Sequence, residues 1–218
     1  MHLELSDFNN NLYSRVTKLQ EQLAKKVIMK DDFQNKEIEF VCGVDVSYKN
    51  EIAHCSAVII KRDNLEIIEI TNSKSNTLYP YIPGLFLLRE SRPIWNTLRL
   101  LKNPFQLLLV DGNGLLHPRR CGLACYIGII TNTPTIGVAK SLLCGGIQSD
   151  GFVKHDEDIV GYSIEKVDNK NKRIYISIGH KISLLTSIQL VRSLTKEGKL
   201  IPEPLIVADI ASKNLIKK

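Results

Sequence analysis

The chain of 218 residues contains no run of 18 or more apolar residues, so no segment is predicted to span a membrane. Its opening, Met1-His2-Leu3-Glu4-Leu5-Ser6-Asp7, lacks the basic start and apolar stretch of a secretory leader, and a cytoplasmic location is expected. Five cysteines, an odd number, follow no framework spacing, which fits reduced thiols rather than disulfides. His117, Cys121 and Cys125 recur every four residues, but no fourth ligand stands at a zinc-type spacing, and a zinc site is not expected. No internal repeat, low-complexity tract or flexible linker appears, so residues 1–218 are read as a single domain. No GxGxxG follows the first predicted strand, which argues against a dinucleotide-binding domain.

What is present is globular composition with an uneven charge. Hydrophobic residues make up 44% and charged residues 24%, which excludes a disordered tail, a collagen or a coiled-coil rod. A chain of this length buries roughly two-thirds of its unfolded surface and needs no metal or disulfide to fold. Of the net +6, residues 166–218 carry 11 Lys and Arg against 4 Asp and Glu, while the first 165 carry 18 against 19. A basic stretch beside a near-neutral body suggests a polyanion, nucleic acid first. Charge alone fits a solvated surface equally well.

Leu12, Val16, Leu19 and Leu23 fall on one face of a helix predicted over 10–30. Strands are predicted at 40–48, 52–61 and 65–72, with a hairpin turn at 62–64, which together make an antiparallel meander. Residues 79–84 read as a loop stiffened by Pro80 and Pro83 and relaxed by Gly84. A helix is predicted behind it at 85–101, kinked or restarted at Pro93. Residues 106–111 form an apolar run typical of a strand buried on both faces. A Gly-rich turn at 112–114, a helix at 122–130, strands at 135–138 and 173–178, and helices at 184–195 and 207–217 complete the pattern. The order β-β-β-α-β-α-β-α implies a ribonuclease H-like α/β fold: a mixed sheet, antiparallel meander plus parallel strands, flanked by helices.

An Asp in an apolar strand is costly unless something compensates its charge. Asp45 lies among Cys42, Val44 and Val46, and Asp111 ends the run 107–110. On neighbouring strands the two carboxylates would face each other at one sheet edge, and a divalent cation with oxygen ligands resolves such repulsion. Glu90, on the helix between them, adds a third acid, although beside Arg89 and Arg92 it also fits a surface ion pair. Asp111 before Gly112-Asn113-Gly114 also fits a turn cap. Lys140, after a short strand, is within reach of a phosphate, and His117-Pro118-Arg119-Arg120 offers an imidazole and two guanidiniums for one.

Five stretches resemble the endonuclease V family, which nicks nucleic acid near deaminated purines. They are Gly43-Val44-Asp45-Val46-Ser47-Tyr48; Pro80-Tyr81-Ile82-Pro83-Gly84 with Arg89-Glu90; Val110-Asp111-Gly112-Asn113-Gly114; His117-Pro118-Arg119 with Gly122-Leu123-Ala124; and Pro134-Thr135-Ile136-Gly137-Val138-Ala139-Lys140-Ser141. They run in consistent order through roughly residues 40–212, with fainter echoes at 179–184 and 202–204. The resemblance implies that Asp45 and Asp111 are the principal magnesium ligands, that Glu90 is the third acid and that Asp209 takes a fourth place. It further implies Lys140 beside the scissile phosphate, and Pro80, Tyr81, Ile82 and Pro83 as a wedge entering the helix next to the lesion. Gly112 and Gly122 would line the pocket for the displaced base, with His117 and Arg119 as phosphate contacts. Asn113, Cys121, Tyr126 and Leu205-Ile206-Val207 depart from common family residues, but no metal-binding acid is lost.

The implied protein is an endonuclease that recognises hypoxanthine and cuts the second phosphodiester bond 3′ to it, in DNA repair. The expected cofactor is magnesium, with manganese substituting. The expected partner is inosine-containing nucleic acid, DNA favoured over RNA, bound by a monomer without membrane attachment. The rivals are a structure-specific nuclease of the same fold and a non-catalytic lesion binder.

Overall fold

The computed structural model describes residues 2–33, 37–166 and 168–217. In chain order the elements are α1 (His2–Ala24), β1 (Phe40–Lys49), β2 (Ile52–Lys61), β3 (Ile67–Asn76), α2 (Phe86–Leu98), β4 (Leu107–Asp111), α3 (Leu123–Thr131), β5 (Thr135–Ala139), β6 (Gly146–Ile147), β7 (Phe152–His155), β8 (Asp158–Lys166), β9 (Asn169–His180), α4 (Leu184–Ser193) and α5 (Glu203–Lys217). The strands form one sheet in the order β3-β2-β1-β4-β5-β9-β8-β7-β6. The meander β1–β3 is antiparallel, β1, β4 and β5 run parallel, and β9 returns antiparallel to β5. This is the mixed sheet expected of a ribonuclease H-like fold. Among the described residues no helix is long and apolar enough to cross a membrane.

Alternation along the central strands sends side chains to two cores. Val41, Leu107 and Leu109 join Leu190, Val191, Leu205 and Ala208 of α4 and α5 on one face. Cys42, Val44, Leu108 and Val110 meet Leu87, Ile94 and Leu98 of α2 and Leu123 and Ile127 of α3 on the other. Close backbone approach sets the first layer: a Cβ on Gly43 would lie 2.5 Å from the Pro204 backbone, so only glycine lets α5 settle on β1. The hairpin joining β1 and β2 has Asn50 and Glu51 at φ 49° and 60°. A two-residue turn that follows the strand twist needs positive φ at both positions.

The sequence expectations need correction in several places. Helix α1 spans His2–Ala24 rather than 10–30. In it Leu19, assigned to the apolar stripe, is exposed, while Gln20 is buried. The third strand starts at Ile67 because Leu65 turns at φ 59°. Pro93 does not start a second helix, and α2 runs through it. Helix α5 starts at Glu203, not 207, since Pro204 in a first turn has no N–H that needs a partner. Strands β6, β7 and β8 were not expected. They extend the sheet beyond β9, which itself begins at Asn169 rather than 173.

Candidate active site

Val44 on β1 pairs in register with Val110 on β4, so the next residues, Asp45 and Asp111, end up on adjacent strands and on the same face. That face is covered by α5, which carries Asp209. Glu90 comes from α2 on the opposite layer. Lys140 follows β5, the next parallel strand. All five line one pocket of about 410 Å³, together with Tyr81, Gly112, Gly122 and His117.

Each acid has a distinct hold. Ser212 Oγ of α5 donates to Asp45 Oδ2 at 2.6 Å, and Ser47 Oγ lies 2.8 Å from Ser212 Oγ. Lys140 Nζ donates to Asp111 Oδ2 at 2.5 Å, and Lys213 Nζ to Asp209 Oδ2 at 2.7 Å. Glu90 is held by Tyr48, whose hydroxyl donates to Oε1 at 3.2 Å. The same hydroxyl lies 3.5 Å from the Arg89 carbonyl, the group that Pro93, four residues on, has no N–H to satisfy. Arg89 stacks over the Tyr48 ring at 4.1 Å and donates to the Tyr79 carbonyl at 3.1 Å.

The electrostatics are strained. Burial raises the Asp45 pKa; the Ser212 hydrogen bond opposes this, and the charges of Asp111 and Asp209 push it higher. Glu90, 5% exposed, is pushed well above the ordinary carboxylate range by burial and then by the Asp45 and Asp111 charges. Burial would lower the Lys140 pKa, but Asp111 raises it overall. Among the described residues no three His, Cys, Asp or Glu side chains are drawn into a ready metal cage, the zinc face of His117, Cys121 and Cys125 included. The donor set is nevertheless of hard oxygens: Asp111 and Asp209 each pair with a lysine, while Asp45 and Glu90 are buried and raised by the neighbouring carboxylates. It fits an oxygen-liganded divalent cation, with Asp45, Asp111 and Glu90 able to hold it and Asp209 nearby.

Glu90 illustrates the cost. A carboxylate whose folded pKa is raised makes the native state bind more protons, so stability falls as pH rises from the ordinary value through the raised one. Without metal, Glu90→Gln is expected to raise the melting temperature at neutral pH by about 2–4 °C, close to 1 kcal/mol. The gain should shrink towards about pH 4, where the unfolded carboxyl also protonates. Thermal unfolding in a chelator across pH checks this, and an unchanged or lower melting point at neutral pH would contradict it.

The basic stretch near the pocket does not supply what its sequence suggested. His117 is buried, and its Nδ1 accepts from the Arg119 N–H at 3.1 Å. That leaves Nε2 as the donor to the Gly84 carbonyl at 3.0 Å. Burial lowers its pKa to about 4, so it is a neutral brace and not a cationic phosphate contact. Arg119 points the same way, Nη2 to the Gly84 carbonyl and Nε to Gln20 Oε1 at 2.8 Å. Arg120 is paired with Asp158 at 2.7 Å. Gly112 lines the pocket and a Cβ on it would only touch the Leu123 side chain at 3.4 Å, whereas a Cβ on Gly122 would collide with the Asn113 carbonyl. Tyr81 is 62% exposed, its ring edge-to-face with Phe86 at 5.7 Å between centroids, which excludes a core role. Pro80 and Pro83 are exposed and Ile82 half-buried, so the loop projects beside the acids. The sequence reading missed Gln20, Tyr48 and Ser212. Only Gln20 carried a signal, a polar residue four after Val16 and three before Leu23 on the apolar stripe.

A ribonuclease H-like sheet presenting paired strand carboxylates, a helix glutamate and a lysine around one pocket defines a nuclease. The family model for endonuclease V matches residues 21–210. The endonuclease V of Dictyoglomus turgidum is 37% identical over 211 residues, covering 94% of this chain and 91% of that protein. That of Thermofilum pendens is 36% identical over 189 residues, covering 85% and 81%. Among solved structures, Ciona intestinalis endonuclease V, in complex with a 24-mer DNA containing an inosine followed by a ribo-adenosine, superposes with a TM-score of 0.85. It is 31% identical, with 95% of this chain and 98% of that one covered. The chain belongs to the endonuclease V family and is an endonuclease.

Proposed function

We propose that this endonuclease recognises hypoxanthine in nucleic acid, DNA in preference to RNA, and hydrolyses the second phosphodiester bond 3′ to it. The cut leaves 3′-hydroxyl and 5′-phosphate ends and initiates DNA repair. The observation that carries the reading is one pocket lined both by the acids Asp45, Glu90, Asp111 and Asp209 with Lys140 and by the exposed Tyr81 loop. A relative of the same fold is known bound to inosine-containing DNA, which supports the choice of lesion.

The proposed roles follow from what each side chain can do. Asp45, Asp111 and Glu90 would hold magnesium, or manganese in its place. When bound, the ion activates a water, orients the phosphate and stabilises the leaving oxygen. Lys140, half-exposed and bonded to Asp111, is free to transfer its donors to a phosphate oxygen once Asp111 is otherwise engaged. Asp209 places a further carboxylate beside Asp45. Pro80, Tyr81, Ile82 and Pro83 form the wedge, and Gly112 lines the pocket proposed for a displaced base. The enzyme is proposed to act as a monomer in the cytoplasm, and its five free cysteines fit a reducing compartment. Cleavage of a strand with one inosine against its undamaged counterpart, with magnesium or chelator, tests the reading.

Salt dependence tests how the polyanion is held. On duplex DNA log affinity falls by roughly 0.9 per log unit of salt for each neutralised phosphate. Several cations of 166–218 are already paired: Lys166 with Asp168, Arg173 with Glu165, Lys181 with Asp32, Lys196 with Glu203 and Lys213 with Asp209. Binding is expected to weaken with salt, with a slope corresponding to about three to five phosphates rather than one per cation. Titration by fluorescence anisotropy at several salt concentrations checks it, and a flat response would assign the basic stretch to solvation.

A further inference from the structure

The loop carrying Tyr81 joins α2 at Gly84, whose backbone sits at φ 75°. Three side-chain donors converge on its carbonyl: His117 Nε2 at 3.0 Å, Gln20 Nε2 at 3.2 Å and Arg119 Nη2 at 2.5 Å. A carbonyl offers two lone pairs, so this one is saturated and its position fixed from three directions. A Cβ on Gly84 would stand 3.0 Å from Arg119 Nη2, so the close approach uses the glycine.

Gln20 ties the set together. It is 1% exposed, and besides Gly84 its Nε2 donates to the Cys121 carbonyl at 2.7 Å while its Oε1 accepts from Arg119 Nε. The next residue, Gly122, donates its N–H to the Gly114 carbonyl at 3.0 Å and belongs to the pocket wall. One amide from α1 thus bonds the foot of the Tyr81 loop, the arginine beside it and the strip of backbone walling the pocket. An apolar residue would satisfy the helix stripe at this position, and a buried amide costs free energy unless fully bonded. The bonds it makes run between the two parts that must act together.

We propose that Gln20 is a positioning residue for lesion recognition, fixing the Tyr81 loop relative to the base pocket so that insertion of the ring and capture of the displaced base occur in one geometry. The proposal rests on the lesion-endonuclease reading. A loop held beforehand loses little freedom on binding; released, it must be ordered by the substrate, which weakens binding and recognition but leaves the acids as they were.

Two variants test this. Gln20→Met keeps the volume and removes every amide bond. Gln20→Glu keeps the acceptor for Arg119 and removes both donations, and it carries the test alone if the Met variant does not fold. For a strand with one inosine, KM is expected to rise about tenfold, and the kcat/KM preference for inosine over undamaged strand to fall by a similar factor, with kcat within about twofold. A 2-aminopurine next to the inosine should brighten on saturation with wild type and markedly less with the variants, because it reports unstacking by the wedge. If the wild type prefers inosine and a folded variant keeps KM, preference and brightening, Gln20 is a core residue and the proposal fails. A wild type indifferent to inosine would overturn the lesion reading, and the recognition role of Gln20 with it.

Discussion

Replacing Asp45 or Asp111 by alanine is expected to abolish magnesium-dependent cleavage, lowering kcat by at least about a thousandfold, roughly 4 kcal/mol of transition-state stabilisation. The two carboxylates stand on neighbouring strands one residue beyond the Val44–Val110 pair, and no other described strand brings an acid to that face beside them. On the proposed reading, loss of either would leave a site unable to hold a divalent cation firmly. The fold should survive in the Asp45 variant, because burial, the largest influence on this carboxyl, disfavours its charge, and removing it relieves that cost together with the repulsion from Asp111 and Asp209, which offsets the lost Ser212 hydrogen bond. Binding to an inosine-containing strand should therefore persist in both variants. Gel analysis of cleavage beside anisotropy of binding separates the two effects. Near wild-type cutting by either variant in magnesium would remove that carboxylate from the reaction.

Tyr81→Ala is expected to leave the melting temperature unchanged while weakening lesion binding and blunting discrimination between inosine and undamaged strand. A base read in a pocket must leave the stack, and a ring that fills the gap recovers part of the cost. Stacking on an aromatic is worth about 1–3 kcal/mol per base, so affinity should fall roughly five- to 150-fold. Because Tyr81 is exposed and touches only Phe86 among the aromatic rings described, its removal should cost little stability. The acids come from other elements, so the proposed metal site should be untouched. A variant that melts several degrees lower yet discriminates normally would assign the ring to packing.

The legible part of this site was the part that violated a local rule. Asp45 and Asp111 stood out because an ionised side chain in a run of valines and leucines has no local compensation, and the structure places both on one face of adjacent central strands. Residues that only look polar carried less information. His117 and Arg119 read as anion contacts because their type suits phosphate, but the fold turns both inward to Gly84, and periodicity does not report that direction. Gln20 interrupted an apolar stripe and could have been singled out, whereas nothing in Tyr48 or Ser212 announced a partner 42 or 167 residues away. Strands β6–β8 were lost because two of them are two and four residues long, and only scattered positions of β8 are buried. Their pairing depends on neighbours remote in sequence rather than on local pattern.

The most direct test of the central claim is cleavage of a duplex carrying one inosine, run beside its matched undamaged duplex, in magnesium and in chelator, with the cut position mapped at nucleotide resolution. The account predicts one nick at the second phosphodiester bond 3′ to the inosine, in magnesium only, with the undamaged duplex left intact. Equal cutting of both duplexes, or a nick that persists in chelator, would contradict it.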